Sequence, residues 1–265
     1  MRDRASNIVR EQPLIERDRC VHLRGDRIEG AFESATSGAF RSGHGAQYKH
    51  RMTHVKQGDV DAVVELPAGD AKAPVVVLLQ EYWGLNENIL AQAKRWAAEG
   101  FVVVVPDLYH GKLAKDSAEA SAWLKAYDWG KGFGEIAACV EYGKTHERST
   151  GKVVVTGYCM GGALTLGTAV NVRGLACAIS YYGYPGDLDW SKIDAPVQAH
   201  VATKDDWVKV PMIEKVKAAV SVPFELHVYE AQHAFCNEKR PEVYDAESCQ
   251  LAWSRTLEFA NKYAR

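Results

Sequence analysis

The stretch Val153-Val154-Val155-Thr156-Gly157-Tyr158-Cys159-Met160-Gly161-Gly162 sets one reactive thiol between small residues. A β-branched apolar run stops at glycine, and the helix-forming Ala163-Leu164-Thr165-Leu166 follows at once, which predicts strand, sharp turn, helix. A nucleophile presented on such a strained turn needs neighbours without bulk two residues before and two after it, and Gly157 and Gly161 meet that need. Gly162 lets the new helix pack closely on the sheet, and the helix N-terminus favours negative charge on the sulfur. The competing reading is a buried structural cysteine in a glycine-rich turn, since free cysteine is among the most buried residue types.

A thiol so placed needs a base and an acid to orient the base, in the chain order nucleophile, acid, histidine. After the apolar run Val197 to Ala202 comes Thr203-Lys204-Asp205-Asp206-Trp207-Val208, and after Phe224 to Tyr229 comes Glu230-Ala231-Gln232-His233. Loops at the carboxyl ends of parallel strands converge on one sheet edge, so Cys159, the Asp205/Asp206 pair and His233 can meet although far apart in sequence. Taken singly, His233 reads as a satisfied loop histidine and the two aspartates as solvated turn acids. Three such residues in order at three strand ends favour a triad.

The elements that would position them alternate along the chain. Strands are predicted at Val60 to Leu66, Val75 to Leu79, Phe101 to Val105, Leu175 to Ser180, Val197 to Ala202 and Phe224 to Tyr229. Helices are predicted from an Asn86 cap through Ala97 to Gly100, over Ala118 to Tyr127 and Ile136 to Tyr142, after the elbow, near Met212 to Val220, and from about Ala246 to Tyr263. That alternation implies a single α/β domain with a mostly parallel sheet covered by helices on both faces. Residues 1–50 differ: arginines interleave with acids, and Ser34 to Gly45 shows no period, so a poorly ordered or surface-lying arm is expected there, with the domain over 51–265.

Several blocks together resemble the dienelactone hydrolase family, the carboxymethylenebutenolidases, within the α/β-hydrolase superfamily. They are Gln80-Glu81-x-x-Gly84-x-Asn86, Pro106-Asp107-Leu108-Tyr109, Gly157-Tyr158-Cys159-x-Gly161-Gly162-Ala163, Asp205-x-x-Val208 and Ala231-x-His233-x-Phe235, with a closing segment from Tyr244 to Phe259. The resemblance implies hydrolysis of a lactone or small ester through a cysteine acyl-enzyme. It makes Cys159 the nucleophile, His233 the base and Asp205, followed by Trp207 and Val208, the orienting acid. Glu81 corresponds to a further carboxylate that accepts the cysteine proton; an acid beside the apolar Tyr82-Trp83 wall can have a raised pKa. The oxyanion hole would use the backbone amides of Met160 and Tyr82.

The chain departs from the family where a substrate carboxylate is gripped by two arginines, for the matching positions fall near Ser117 and on Asn237. Lys112, Lys115, Lys204 or Lys239 could act as point charges, and Arg240 has the guanidinium fork but lies three positions late. Asn237, Trp83, Tyr109, Tyr182 and Trp207 are candidate pocket residues, which leaves open a general carboxylesterase acting on an apolar or aromatic ester.

Composition narrows the classes. The 265 residues are 47% hydrophobic with a net charge of -2, enough for one core and no electrostatic case for nucleic acid or an anionic membrane. No apolar run approaches the roughly 20 residues of a membrane span, and a cytosolic monomer with a small-molecule ester or lactone substrate is expected. Six cysteines without C-x-x-C pairs suggest free thiols. His50 and His54 sit in a charged segment around Arg51, and neither metal nor cofactor is expected. Gly130-Lys131-Gly132-Phe133-Gly134 follows no apolar strand and Gly143-Lys144-Thr145 lacks the upstream glycine of a P-loop, which argues against nucleotide binding. A thiol redox protein, with Cys236 approaching Cys159, and a silent binding protein on the same fold compete with the hydrolase reading.

Overall fold

A computed structural model describes residues 52–265; the arm expected over residues 1–50, with Cys20 and His50, lies outside the described residues. The chain runs β1 (Met52–Val55), β2 (Val60–Glu65), β3 (Ala73–Leu79), α1 (Glu87–Ala98), β4 (Val102–Pro106), α2 (Ser117–Lys125) and α3 (Trp129–Thr145). It continues through β5 (Ser149–Tyr158), α4 (Met160–Asn171), β6 (Cys177–Tyr181), β7 (Val197–Ala202), α5 (Val210–Ala219), β8 (Phe224–Tyr229) and α6 (Ala246–Ala264). The eight strands form one sheet in the order β1-β2-β4-β3-β5-β6-β7-β8. β1 and β2 are antiparallel additions at one side, and β4, β3, β5, β6, β7 and β8 run parallel.

The continuous apolar strands are explained by two covered faces. In β3, Val76 and Leu78 point into a core shared with Trp96 of α1 and Trp253 and Phe259 of α6. Val75, Val77 and Leu79 point the opposite way, toward Ile136 and Val140 of α3 and Leu164 of α4. A period-2 strand buried on both sides has no polar face to show, which is why Val75 to Leu79 reads as an unbroken run. α5 closes a third cluster through Ile213 and Val216, packed with Val197, Ala199 and Val201 of β7.

Two elements differ from expectation. β1 is a short antiparallel strand without a distinguishing pattern, and its His54 faces Asp61 at 2.8 Å across the β1–β2 ladder. Helix α3 starts at Trp129 and not near Ile136, because Asp128 caps it by accepting from the Lys131 amide at 2.9 Å. Three glycines in that first stretch lower helix propensity, so tertiary packing decides the start. Both glycine-lysine segments weighed against nucleotide binding lie inside this one helix. Among the described residues no helix is long and apolar enough to cross a membrane.

Between the sheet and α6 lies a buried polar network. His200 is fully buried, with Nδ1 2.8 Å from the Tyr229 hydroxyl and Nε2 2.9 Å from Gln198 Oε1 and 3.0 Å from Thr256 Oγ1. Burial first, then the positive fields of His227 and Arg255, holds its pKa well below the usual value. The unfolded chain takes up that proton near pH 6.5 and the folded chain does not, so stability is lost as pH falls below about 6.5, by about 1.4 kcal/mol per pH unit for one such group. Urea unfolding at pH 7.5 and 5.5 is expected to show this loss in the native chain and a smaller loss in His200→Gln; equal losses would acquit His200.

Candidate active site

The elbow forms as β5 runs directly into α4. Cys159 sits between them at φ 55°, ψ −114°, a backbone conformation costly for a residue with a β-carbon. Its amide donates to Tyr181 O at 3.0 Å, locking the turn to β6. Gly157 and Gly161 face each other across the turn: a β-carbon on Gly157 would fall 2.6 Å from the Gly161 carbonyl carbon, and one on Gly161 2.7 Å from Gln80 O. Bulk at either position would push the elbow off β3. Met160 is the first residue of α4, so its amide precedes the helical ladder and remains available to a ligand. Cys159 is 7% exposed, and that exposure opens onto a cavity of about 250 Å³ lined also by Glu81, Tyr82, Trp83, Trp207, His233 and Arg240.

The loops after β7 and β8 are welded together by the Thr203 amide donating to Tyr229 O at 2.9 Å and the Lys204 amide to Ala231 O at 3.0 Å. Asp205 is fully buried, and its Oδ1 accepts from the Trp207 and Val208 amides at 2.7 and 2.9 Å. That local turn aims Oδ2 at His233 Nδ1, 2.7 Å away. Asp206 points outward to Lys209 at 3.2 Å, so of the two aspartates Asp205 is the one brought to the imidazole. Burial opposes the Asp205 charge, but the His233 hydrogen bond and the two amides outweigh it and hold the carboxyl below its usual range.

His233 is wedged between two rings. The Trp207 indole stacks on it at 5.2 Å, and Tyr182 meets it edge-on at 5.2 Å. Burial disfavours the imidazolium, yet Asp205 and the Cys159 sulfur together raise its pKa to about 10. Nε2, the ring nitrogen turned away from Asp205, makes no hydrogen bond among the described residues, so it can take or give a proton in the cavity that Cys159 also lines.

Glu81 lies just beyond β3, 4% exposed on the cavity floor. Burial is the largest influence on it and raises its pKa to about 7, against the lowering effects of His233, Arg240 and the side-chain amides of Asn237 and Asn88. The site therefore holds a carboxyl that can take or give a proton near neutrality. Tyr82 follows it in the same loop, its ring 4.7 Å from that of Trp83 and 6.1 Å from that of Trp207.

Several pocket assignments need correction. Asn237 is 2% exposed and does not line the cavity; its Nδ2 donates to Glu81 Oε2 at 2.6 Å. Tyr109 belongs to a neighbouring cleft with Trp123 and Tyr127, and only its hydroxyl reaches the elbow, donating to Met160 Sδ at 3.3 Å. Tyr182 is 1% exposed and supports His233 from behind. Trp83 and Trp207 do line the cavity, with Trp207 more than half exposed at its mouth. Of the cations weighed for the missing arginines, Arg240 and Lys204 reach the cavity and Lys112, Lys115 and Lys239 do not. Asn88 carried no sequence signal for contact with Glu81, lying two residues past a helix cap.

Cys236 and Cys249 are joined as a disulfide, contrary to the expectation of free thiols throughout. Nothing in their spacing announced the pair, which tertiary packing brings to a Cα separation of 4.9 Å. Cys236 is thereby engaged with α6 and is not placed as a resolving partner for Cys159.

Comparison with known proteins places this arrangement. The dienelactone hydrolase family model matches residues 60–264. Carboxymethylenebutenolidase 1 of Cupriavidus pinatubonensis is 30% identical over 226 residues, covering 78% of this chain and 93% of that protein. The carboxymethylenebutenolidase of Pseudomonas sp. strain P51 is 31% identical over 221 residues, covering 77% and 91%. Among solved structures, a dienelactone hydrolase-like promiscuous phosphotriesterase from metagenomic libraries superposes with a TM-score of 0.71 at 20% identity, covering 77% and 92%, and shares the fold. The matched span runs from the second strand into the last helix and contains every residue of the site, so the chain belongs to the dienelactone hydrolase family and is a hydrolase of ester or lactone bonds.

Proposed function

We propose that the protein cleaves a small carboxylic ester or lactone through a thioester on Cys159. The observation that carries this is the Asp205–His233 pair, joined by the 2.7 Å carboxylate–imidazole contact, with His233, Cys159 and Glu81 opening on one cavity. In the resting site the imidazolium of His233 is paired with Asp205 and Glu81 is ionised. The thiol gives its proton to Glu81, and the thiolate attacks the acyl carbon. The oxyanion is held by the Met160 and Tyr82 amides. Collapse breaks the ester C–O bond, and the departing alkoxide takes the proton of His233.

Neutral His233 then accepts a proton from water as the hydroxide attacks the thioester. The C–S bond breaks, the product acid loses its proton to solvent, and the thiolate recovers a proton from Glu81. Net, one water is consumed and one acid and one alcohol are formed; in a lactone both stay on one molecule. Arg240 and Lys204 supply the cations of the cavity and suit a substrate whose acid portion carries a carboxylate.

Quenching the protein during turnover of p-nitrophenyl acetate and of a half-ester of a dicarboxylic acid, then mapping the acyl group by mass spectrometry, tests the scheme. The acyl group is expected on the peptide containing Cys159, with the lower KM for the half-ester. An acyl group on another residue would reject Cys159, and turnover with no acyl-protein at any quench time would reject the covalent route.

A further inference from the structure

Asn237 lies 156 residues from Glu81 in sequence, yet its amide makes a short contact to that carboxyl, 2.6 Å from Nδ2 to Oε2. It is not loosely placed. The Asn237 amide nitrogen donates to Ala234 O at 2.9 Å, and Asn237 O accepts from the Arg240 amide at 3.0 Å. Its side-chain Oδ1 accepts from the Lys239 amide at 3.0 Å, which leaves Nδ2 as the end facing Glu81. The preceding residue, Cys236, is tied to Cys249 in α6, and the Asp245 amide donates back to Phe235 O at 3.0 Å. The same short loop carries His233 at one end and Asn237 at the other, so the imidazole and the amide that holds Glu81 take their positions from one clipped segment.

The other groups around Glu81 act differently. His233 and Arg240 act on it through their charge, but each has a closer acid, Asp205 and Glu242 respectively. Asn88 donates a second neutral amide from α1. Tyr158 and Tyr182 sense the Glu81 charge, and Cys159 shares its cavity. Direct contact thus comes from neutral donors, which stabilise the carboxylate by hydrogen bonding without locking it in an ion pair.

We propose that Asn237 is a positioning residue for Glu81: its amide, held from the loop clipped to α6, aims the carboxyl at the Cys159 cavity and sets the pH range over which it can take the thiol proton. This inference rests on the proton-accepting role given to Glu81 above. Losing the amide removes a donor to the charged form, so the Glu81 pKa rises and the acid limb of the reaction moves to higher pH.

The test is the pH dependence, from pH 5 to 9, of single-turnover acylation by p-nitrophenyl acetate in the full chain, for the native protein, Glu81→Gln, Asn237→Leu and the isosteric Asn237→Asp. Native acylation is expected to fall as pH drops through about 7, and Glu81→Gln to lose that limb. Asn237→Leu is expected to move the limb up by about one pH unit, the shift equivalent to losing one hydrogen bond to a charged group. Asn237→Asp, which keeps the shape and the acceptor for Lys239, is expected to move it further by adding a like charge. KM should change little while the acylation rate falls, a pattern that mere loosening of the loop does not give. If Glu81→Gln keeps the limb, the role of Glu81 fails and this inference with it. If Glu81→Gln removes the limb but both Asn237 variants leave it in place, Asn237 alone is dismissed.

Discussion

Cys159→Ala is expected to lower kcat/KM for p-nitrophenyl acetate and for a small enol lactone by on the order of 10⁴-fold or more, because it deletes the sulfur on which the proposed thioester would form. The effect should be chemical and not structural. Alanine keeps the β-carbon that already sits at φ 55° between Gly157 and Gly161, so backbone strain is unchanged and thermal unfolding should move little. Binding survives, as do the Met160 and Tyr82 amides proposed to hold the oxyanion, and the residual rate would measure their contribution alone. Equal rates for the native protein and the variant across an ester and lactone panel would take the sulfur out of the chemistry and leave Glu81 and His233 without a nucleophile to serve.

His233→Ala is expected to cost on the order of 10²–10⁴-fold in the same assays, the range for loss of a positioned acid–base group. In the proposed scheme the imidazole has two tasks, protonating the leaving alkoxide and drawing a proton from the attacking water, so kcat should fall more than KM rises. Asp205 keeps its Trp207 and Val208 amides in the variant and is not stranded, so the loop should hold its course. Iodoacetamide labelling of Cys159 gives an independent reading and should slow in His233→Ala, since an imidazolium on the same cavity favours the thiolate. Unchanged labelling together with unchanged turnover would reduce His233 to a packing residue between Trp207 and Tyr182.

Cys159 and His233 reach the site through different levels of organisation. The elbow was legible residue by residue: a β-branched run, a glycine, a thiol and two more glycines allow one local geometry, and the structure has it at φ 55°. The β7 and β8 strands, Val197–Ala202 and Phe224–Tyr229, were legible with their ends, β7 as a segment buried throughout and the edge strand β8 as an alternation of apolar and polar residues that stops where the loop begins. Asp205 and His233 follow those ends directly, so two local patterns and the rule that parallel strands present their carboxyl ends together were enough to bring them near Cys159. Distinguishing Asp205 from Asp206 needed the family's spacing to Trp207 and Val208, and the structure supplies a physical reason in the two amides that spacing delivers to Oδ1.

Local pattern accounts for the strand ends, the strained turn and the identity of the groups placed there, because each depends on residues a few positions apart. Packing alone decided which side chains face the cavity. Asn237 turned inward to Glu81, Tyr109 into a separate cleft, and Arg240 onto the wall, since the path of a loop and the direction of a side chain depend on contacts with distant elements. The Cys236–Cys249 pair and the raised pKa of Glu81 belong with these: one needs two Cα atoms brought to 4.9 Å, the other needs a carboxyl shut away from water, and neither condition is written in any short stretch of chain.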